Sequence, residues 1–330
     1  MDPETTNTST TEVPVPEPEK KEVWAIGGGK GGVGKSLITA NLAIALSRQG
    51  HRVLLVDLDL GGANLHTCLG VSMPFGTLSD FIDGGIGEIK DVIAETGIPN
   101  LHLINGARDS VTIANIRHTQ KLRLLNRLRK LDYDYVLFDL GAGTSFNMLD
   151  FFLEADKGLI VLIPEPTSVE NIYRFVKSAY YRQLNALATH LGLRNEIASL
   201  IKNEGQVKIE SPAVLIEKLK GINFEKGEKI EAELKKFCPK LIMNMVRSHS
   251  DMEVGYAVRS VFRKYFGIGL DYVGYLDYDN AVWQSIRKKR PFLLEFPNSK
   301  LVRSFERISK TLSLEEEFES LDVAKEGVGS

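Results

Sequence analysis

Seven short runs of this 330-residue chain are apolar almost without interruption: "VWAIGG" (23–28), "RVLLVD" (52–57), "LHLIN" (101–105), "YVLFDL" (135–140), "GLIVLIP" (158–164), "LIMNMV" (241–246) and "DYVGYL" (271–276). A strand with one wet face alternates apolar and polar residues. A continuous apolar strand is covered on both faces. Helical patterns lie between most of the runs, such as "SLITANLAIALSRQGH" (36–51), with Gly50 as its stop, and "RHTQKLRLLNRLRKL" (117–131). Strands of this kind alternating with helices predict an α/β fold: a parallel sheet with helices on both faces. No internal repeat is visible.

One connection is too long for that plan. Residues 165–240 separate two of the runs, whereas a crossover needs roughly a dozen residues. A helical insertion is expected over about 190–238. Within it, "SPAVLIEKLKGINFEKGEKIEAELKKF" (211–237) reads as one or two amphipathic helices, with Val214, Leu215, Leu219, Ile222 and Phe224 placed to pack down.

The ends differ from the middle. Residues 1–21 are rich in Thr, Pro and Glu without apolar anchors, which predicts a disordered tail. The ordered domain is expected over 22–313, and 314–330 reads as an acidic flexible C-terminal tail. There is no basic leader with an apolar core, and no apolar stretch of the roughly 20 residues that span a bilayer. The expectation is a cytoplasmic protein, with any contact at the inner membrane peripheral. Net charge is -2, which excludes a global positive field aimed at nucleic acid. Cys68 and Cys238 stand far apart and offer neither a disulfide framework nor a zinc site.

The chemistry is concentrated between the first strand and the first helix. Gly29 to Ser36 matches G-x-x-x-x-G-K-S. The loop residues Gly29, Lys30, Gly31, Gly32, Val33 and Gly34 let backbone N–H groups turn inward around phosphate oxygens. The helix that starts with Lys35, Ser36 and Leu37 adds its positive end. Lys35 is placed to bridge the β- and γ-phosphates, and Ser36 to offer its hydroxyl to Mg²⁺. The same stretch matches G-x-G-x-x-G at Gly29, Gly31 and Gly34, with Asp57 where a dinucleotide fold puts its ribose carboxylate. That rival reading is a dinucleotide-binding oxidoreductase. The Lys35–Ser36 pair argues against it, because such a site has no use for them. Asp139 ends the fourth run as a second magnesium carboxylate would. Asp57 and Asp59 flank Leu58 and share one face if the strand continues, as groups that hold magnesium's water or orient an attacking water. Gly143 in "DLGAG" is placed to offer its N–H to the γ-phosphate.

"KGGVGKS" (30–36) resembles the deviant Walker A motif of the MinD/ParA family of ATPases. "VDLDLGGANL" (56–65), "FDLGAG" (138–143), "LIPEPTSVEN" (162–171), "MNMVR" (243–247) and "VGYLDYDNAVWQSI" (273–286) extend the resemblance over about 22–310. It is most similar to the MinD-like and FlhG-like branch. The resemblance implies that Lys30 reaches across a homodimer interface to phosphates held by the other subunit, so that ATP drives dimerisation. It implies that Lys30, Lys35 and Asp59 are the catalytic set, that Ser36, Asp57 and Asp139 support Mg²⁺, and that Asn244 reads adenine. Arg247 and "YLDYD" (275–279) line the base, and Pro164 and Glu165 lie near the sugar and the dimer seam. The implied function is slow ATP hydrolysis to ADP and phosphate in a switch that places a flagellar, division-site or polar structure and answers to a protein partner. A DNA-partitioning ATPase is the alternative, with "RHTQKLRLLNRLRK" (117–130) and "RKKR" (287–290) as patches. The branch's basic membrane-inserting C-terminal helix is not evident. The helix "KLVRSFERISKTL" (300–312), with Leu301, Phe305, Ile308 and Leu312 on one face, is expected to dock on the core.

Overall fold

The computed structural model describes residues 21–59, 62, 64–72, 76–106, 116, 118–202 and 211–326. In chain order the strands are β1 (Glu22–Gly27), β2 (Val53–Asp57), β3 (Ile93–Glu95), β4 (Leu101–Ile104), β5 (Tyr135–Asp139), β6 (Lys157–Leu162), β7 (Lys240–Val246) and β8 (Asp271–Asp277). The helices are α1 (Lys35–Arg48), α2 (Leu65–Leu69), α3 (Leu78–Ile82), α4 (His118–Arg129), α5 (Phe146–Glu154), α6 (Pro166–His190), α7 (Arg194–Lys202), α8 (Pro212–Ile222), α9 (Phe224–Lys235), α10 (His249–Phe266), α11 (Asn280–Lys288), α12 (Phe292–Glu295) and α13 (Lys300–Glu326).

One sheet runs β3-β4-β2-β5-β1-β6-β7-β8. Every pairing is parallel except β3 with β4. Successive residues of β1 feed opposite cores, which is why the run has no polar side. Val23 and Ala25 pack with Phe138, Phe152 and Phe175 on one face. Trp24 and Ile26 pack with Leu42, Leu137 and Phe305 on the other. The chain reverses its direction of winding around β1, which lies between β5 and β6. Such a switch point opens a crevice beyond the C-terminal strand ends, and the glycine-rich loop after β1 lies there.

The seven apolar runs all form strands. The eighth, β3, is three half-buried or exposed residues on an antiparallel edge, too short to leave an apolar signature. The insertion forms α7, α8 and α9, so 211–237 makes two helices. Leu215 and Leu219 pack down as expected, but Val214 is only half-buried, Ile222 is exposed and Phe224 is 70% exposed. The last two flank Asn223, whose side chain caps α9 by accepting from Lys226 N, and this turn swings both neighbours outward. The C-terminal expectation is corrected too. Leu301, Phe305, Ile308 and Leu312 are buried against the core, but α13 does not stop at 313 and runs on to Glu326. The added turns hold Leu, Glu and Ala and no glycine or proline, so nothing breaks the helix. Of the expected 1–21 tail, only Lys21 lies within the described residues. Among those residues no helix is long and apolar enough to cross a membrane.

Candidate functional site

Strand β1 ends at Gly27 and α1 begins at Lys35, so the intervening loop caps the crevice. Gly32 and Gly34 have φ of 78° and 95°, values that L side chains rarely adopt. Gly29 is needed for closeness: a Cβ there would lie 2.1 Å from the Asn171 carbonyl oxygen of α6. Val33 is buried and anchors the loop, while Gly31 and Gly32 stay exposed. The first turn of α1 has neither a side-chain cap nor an acidic residue, which leaves its N–H groups to an anion.

The two lysines of the loop have different surroundings. Lys35 is 8% exposed and its Nζ donates to the Lys30 carbonyl oxygen at 3.2 Å. Burial lowers its pKa, against the pull of Asp139 and Asp59. Lys30 has a side chain 38% exposed and turns outward, with Nζ 3.2 Å from Glu165 Oε2. It also donates to Thr167 Oγ1 at 3.2 Å. In this single subunit Lys30 therefore lies against the start of α6.

Behind Lys35, Asp57 and Asp139 face each other across the β2–β5 pairing, at 0% and 1% exposure. Burial is the main reason both carboxyls are pushed up, Asp57 to about 8 and Asp139 to about 7. Mutual repulsion adds to the rise at Asp57, while Ser36 and Lys35 oppose it at Asp139. Asp57 accepts from Asp59 N at 3.0 Å and from Leu65 N at 3.2 Å, so it fixes the turn after β2. Each of its oxygens accepts one backbone N–H and keeps a further lone pair. Thr39 Oγ1 donates to Asp139 Oδ1 at 3.3 Å, while Asp139 Oδ2 is buried without a hydrogen-bond partner. Asp59 is half-buried above the loop after β5, where a Cβ on Gly141 would lie 2.8 Å from its Oδ1. Gly143, at φ 99°, has open space around it.

This set fits a small hard cation. The donors are a hydroxyl and two carboxylates, all oxygen, and the orphaned Oδ2 of Asp139 is a buried acceptor awaiting a positive partner. The same argument explains how two adjacent buried carboxyls are tolerated: without a cation they hold protons.

On the far side of α1's first turn lies a slot of about 260 Å³. Leu37, Asn244, Met245, Tyr278, Val282 and Trp283 line it. Arg247 does not line it, but its guanidinium stacks 4.0 Å above the ring of Tyr278 at the rim. Asn244 is buried, and its Nδ2 donates to the Val33 carbonyl oxygen at 2.8 Å. The basic "RKKR" is partly spent on its own subunit, since Lys288 and Arg290 both pair with Glu295.

The structure thus gathers the loop, Ser36, Asp57, Asp59, Asp139 and Gly143 on one side and Leu37 and Asn244 on the other. Three contributors were not singled out from sequence. Thr39 lies one helical turn after Ser36 and was legible by that spacing. Thr167 and Trp283 sit inside stretches noted for other residues and carry no spacing signal of their own.

The family described as the CobQ/CobB/MinD/ParA nucleotide binding domain matches residues 24–292. The chain is similar to the antiactivator FleN of Pseudomonas aeruginosa, 26% identical over 88% of this chain and 85% of that protein. It is also similar to the flagellum site-determining protein YlxH of Helicobacter pylori, 34% identical over 46% of this chain and 52% of that protein. Among solved structures, the septum site-determining protein MinD of Pyrococcus horikoshii, complexed with Mg-ADP, shares the fold with a TM-score of 0.58. Its identity is 22%, over 88% of this chain and 96% of that one. With the loop and the paired carboxylates inside the matched span, the chain belongs to the CobQ/CobB/MinD/ParA nucleotide-binding domain family.

Proposed function

We propose that the protein is an ATP-dependent dimerising switch: a slow ATPase that positions a cellular structure, either flagella or a division or polar site. The observation that carries the reading is the convergence of Lys35, Ser36, Asp57, Asp59 and Asp139 beside a base-sized slot, with a second lysine, Lys30, exposed at the loop's outer edge. The similarity to an antiactivator and a flagellum site-determining protein supports the biological half.

In this reading the loop N–H groups and Lys35 hold the phosphates, and Leu37, Asn244 and Trp283 take the base, with Tyr278 and Arg247 at the rim. Ser36, with Asp57 and Asp139, would hold Mg²⁺, which supplies neutralisation of phosphate charge. Asp59 orients the attacking water, and Gly143 offers its N–H to the terminal phosphate. Lys30 leaves Glu165 and Thr167 to reach the nucleotide of a second copy. That exposed pair is worth roughly 0–1 kcal/mol, so releasing it costs little. Dimerisation then creates a surface for a protein partner, and hydrolysis removes it. The expected location is the cytoplasm, with peripheral contact at the inner membrane.

Light scattering after size exclusion tests the switch. Asp59→Ala should cut hydrolysis about a hundredfold and accumulate a dimer in ATP. A monomer at saturating ATP would overturn the proposal.

A further inference from the structure

Strand β7 breaks its own alternation at Asn244 and Met245. Ile242 packs on the α1 face of the sheet and Met243 on the other. Asn244 follows the alternation and points back to the α1 face, with its amide against the loop carbonyl of Val33. Met245 should then return to the opposite face, but it packs on the α1 face as well, and Val246 takes the opposite one. The register shows the cause. Met243 pairs with Tyr275 and Val246 with Asp277, so β7 spends three residues where β8 spends two. Met245 sits in the bulge at φ 58°, a left-handed conformation that a non-glycine residue adopts only when its surroundings compensate.

The result is two consecutive residues aimed at the same region. Met245 and Asn244 both line the slot, and Asn244 alone also grips the phosphate loop. Only the amide nitrogen can donate to a carbonyl, so this contact fixes the orientation of the group. It sits tightly: a Cβ on Gly34 would lie 2.5 Å from Asn244 Nδ2, so glycine at 34 serves the approach of Asn244 as well as its own φ of 95°. Gly34 is the residue immediately before Lys35, at the N-cap of α1. The loop's long arc from Gly28 to Gly34 otherwise exposes Gly31 and Gly32 to solvent.

We infer that Asn244 is a positioning residue for the phosphate loop as well as a residue of the base slot. The inference rests on the nucleotide-binding reading and adds to it a claim about ligands with no base. A residue that only reads a base is irrelevant to a bare phosphate chain; a residue that tethers Val33 is not.

Inorganic tripolyphosphate, which has no base, is therefore the deciding probe beside ATP. Asn244→Ala and the similarly sized, uncharged Asn244→Leu both remove the donor. Each should weaken tripolyphosphate about fivefold, the size of one lost hydrogen bond, with the ligand-free melting temperature kept within about 2 °C, a change too small for a general loss of packing. Trp283→Ala, which alters the slot alone, should weaken ATP and leave tripolyphosphate unchanged. Tripolyphosphate affinity untouched in both Asn244 variants, with ATP still bound by the native protein, overturns the tether and leaves the nucleotide site standing. A native protein that binds neither ATP nor tripolyphosphate overturns both.

Discussion

The inner and outer ends of the phosphate loop are made of the same residue types and behave as opposites. At the inner end Lys35 is buried, its charge disfavoured by desolvation and held by Asp139 and Asp59. At the outer end Lys30 is half in solvent and pairs with Glu165, which is more exposed still. The difference shows which roles one subunit can define. Everything Lys35 needs is folded around it, so its task follows from this chain alone. Among the described residues Lys30 pairs with Glu165 and Thr167, a weak exposed contact, and the proposed function gives it a stronger partner in the nucleotide of a second copy.

Lys35→Ala tests the inner end and has the largest expected effect. The helix start and the glycines remain, but the buried cation beside the carboxylates is gone. Charge-assisted hydrogen bonds of this kind are worth up to about 3 kcal/mol, so ATP affinity should fall about a hundredfold in titration calorimetry. A loss under threefold would show that the inner lysine is not the phosphate ligand and would erase the contrast between the two ends.

Lys30→Ala tests the outer end. Its side chain pairs with Glu165 and Thr167 in one subunit, so ATP binding should stay within about twofold, as for removal of an exposed pair. Dimerisation in ATP should weaken by about tenfold or more, since a charge pair desolvated at an interface counts for more than one in water. Analytical ultracentrifugation reads the dimer and calorimetry the binding. Equal losses in both would mean that the two lysines act on the same nucleotide.

The sequence was most informative where function is local in the chain. Lys35, Ser36 and their glycines lie within eight residues, and Asp57 and Asp139 end apolar runs that could only be buried strands. Their convergence followed from the sheet order. What was not legible depends on contacts between distant residues. The grip of Asn244 on Val33 spans 211 positions and needs a bulge that no composition announces. The resting contact of Lys30 with Thr167 spans 137 positions. Ile222 and Phe224 fit an apolar stripe by spacing, but a turn at Asn223 overrides that pattern. The helix past residue 313 was hidden by its acidity, which suggested a tail although its residues form helices well.

The smallest expected effect is a slope with pH, and it bears on the two ends because the inner one has two carboxyls raised into the physiological range. Burial raises the Asp57 and Asp139 carboxyls toward about 8 and about 7. In the unfolded chain both ionise near 3.8, so between about pH 4 and pH 8 the folded protein holds protons that the unfolded chain has lost. Stability of the ligand-free protein should therefore fall as pH rises through this window, and level off above it. Mg·ATP reverses the balance, because a cation favours the ionised pair. Affinity should rise a few-fold per pH unit from 6 to 8, and at most tenfold for each coupled proton. Calorimetry in buffers of different ionisation enthalpy should detect up to two protons released on binding at about pH 6, one from each carboxyl. Asp139→Asn removes one carboxyl and with it the repulsion on Asp57, so both slopes should flatten. Lys30→Ala should leave them as they are. If it is the Lys30 variant whose slope flattens, the two ends share one electrostatic unit, and the distinction drawn from burial does not hold.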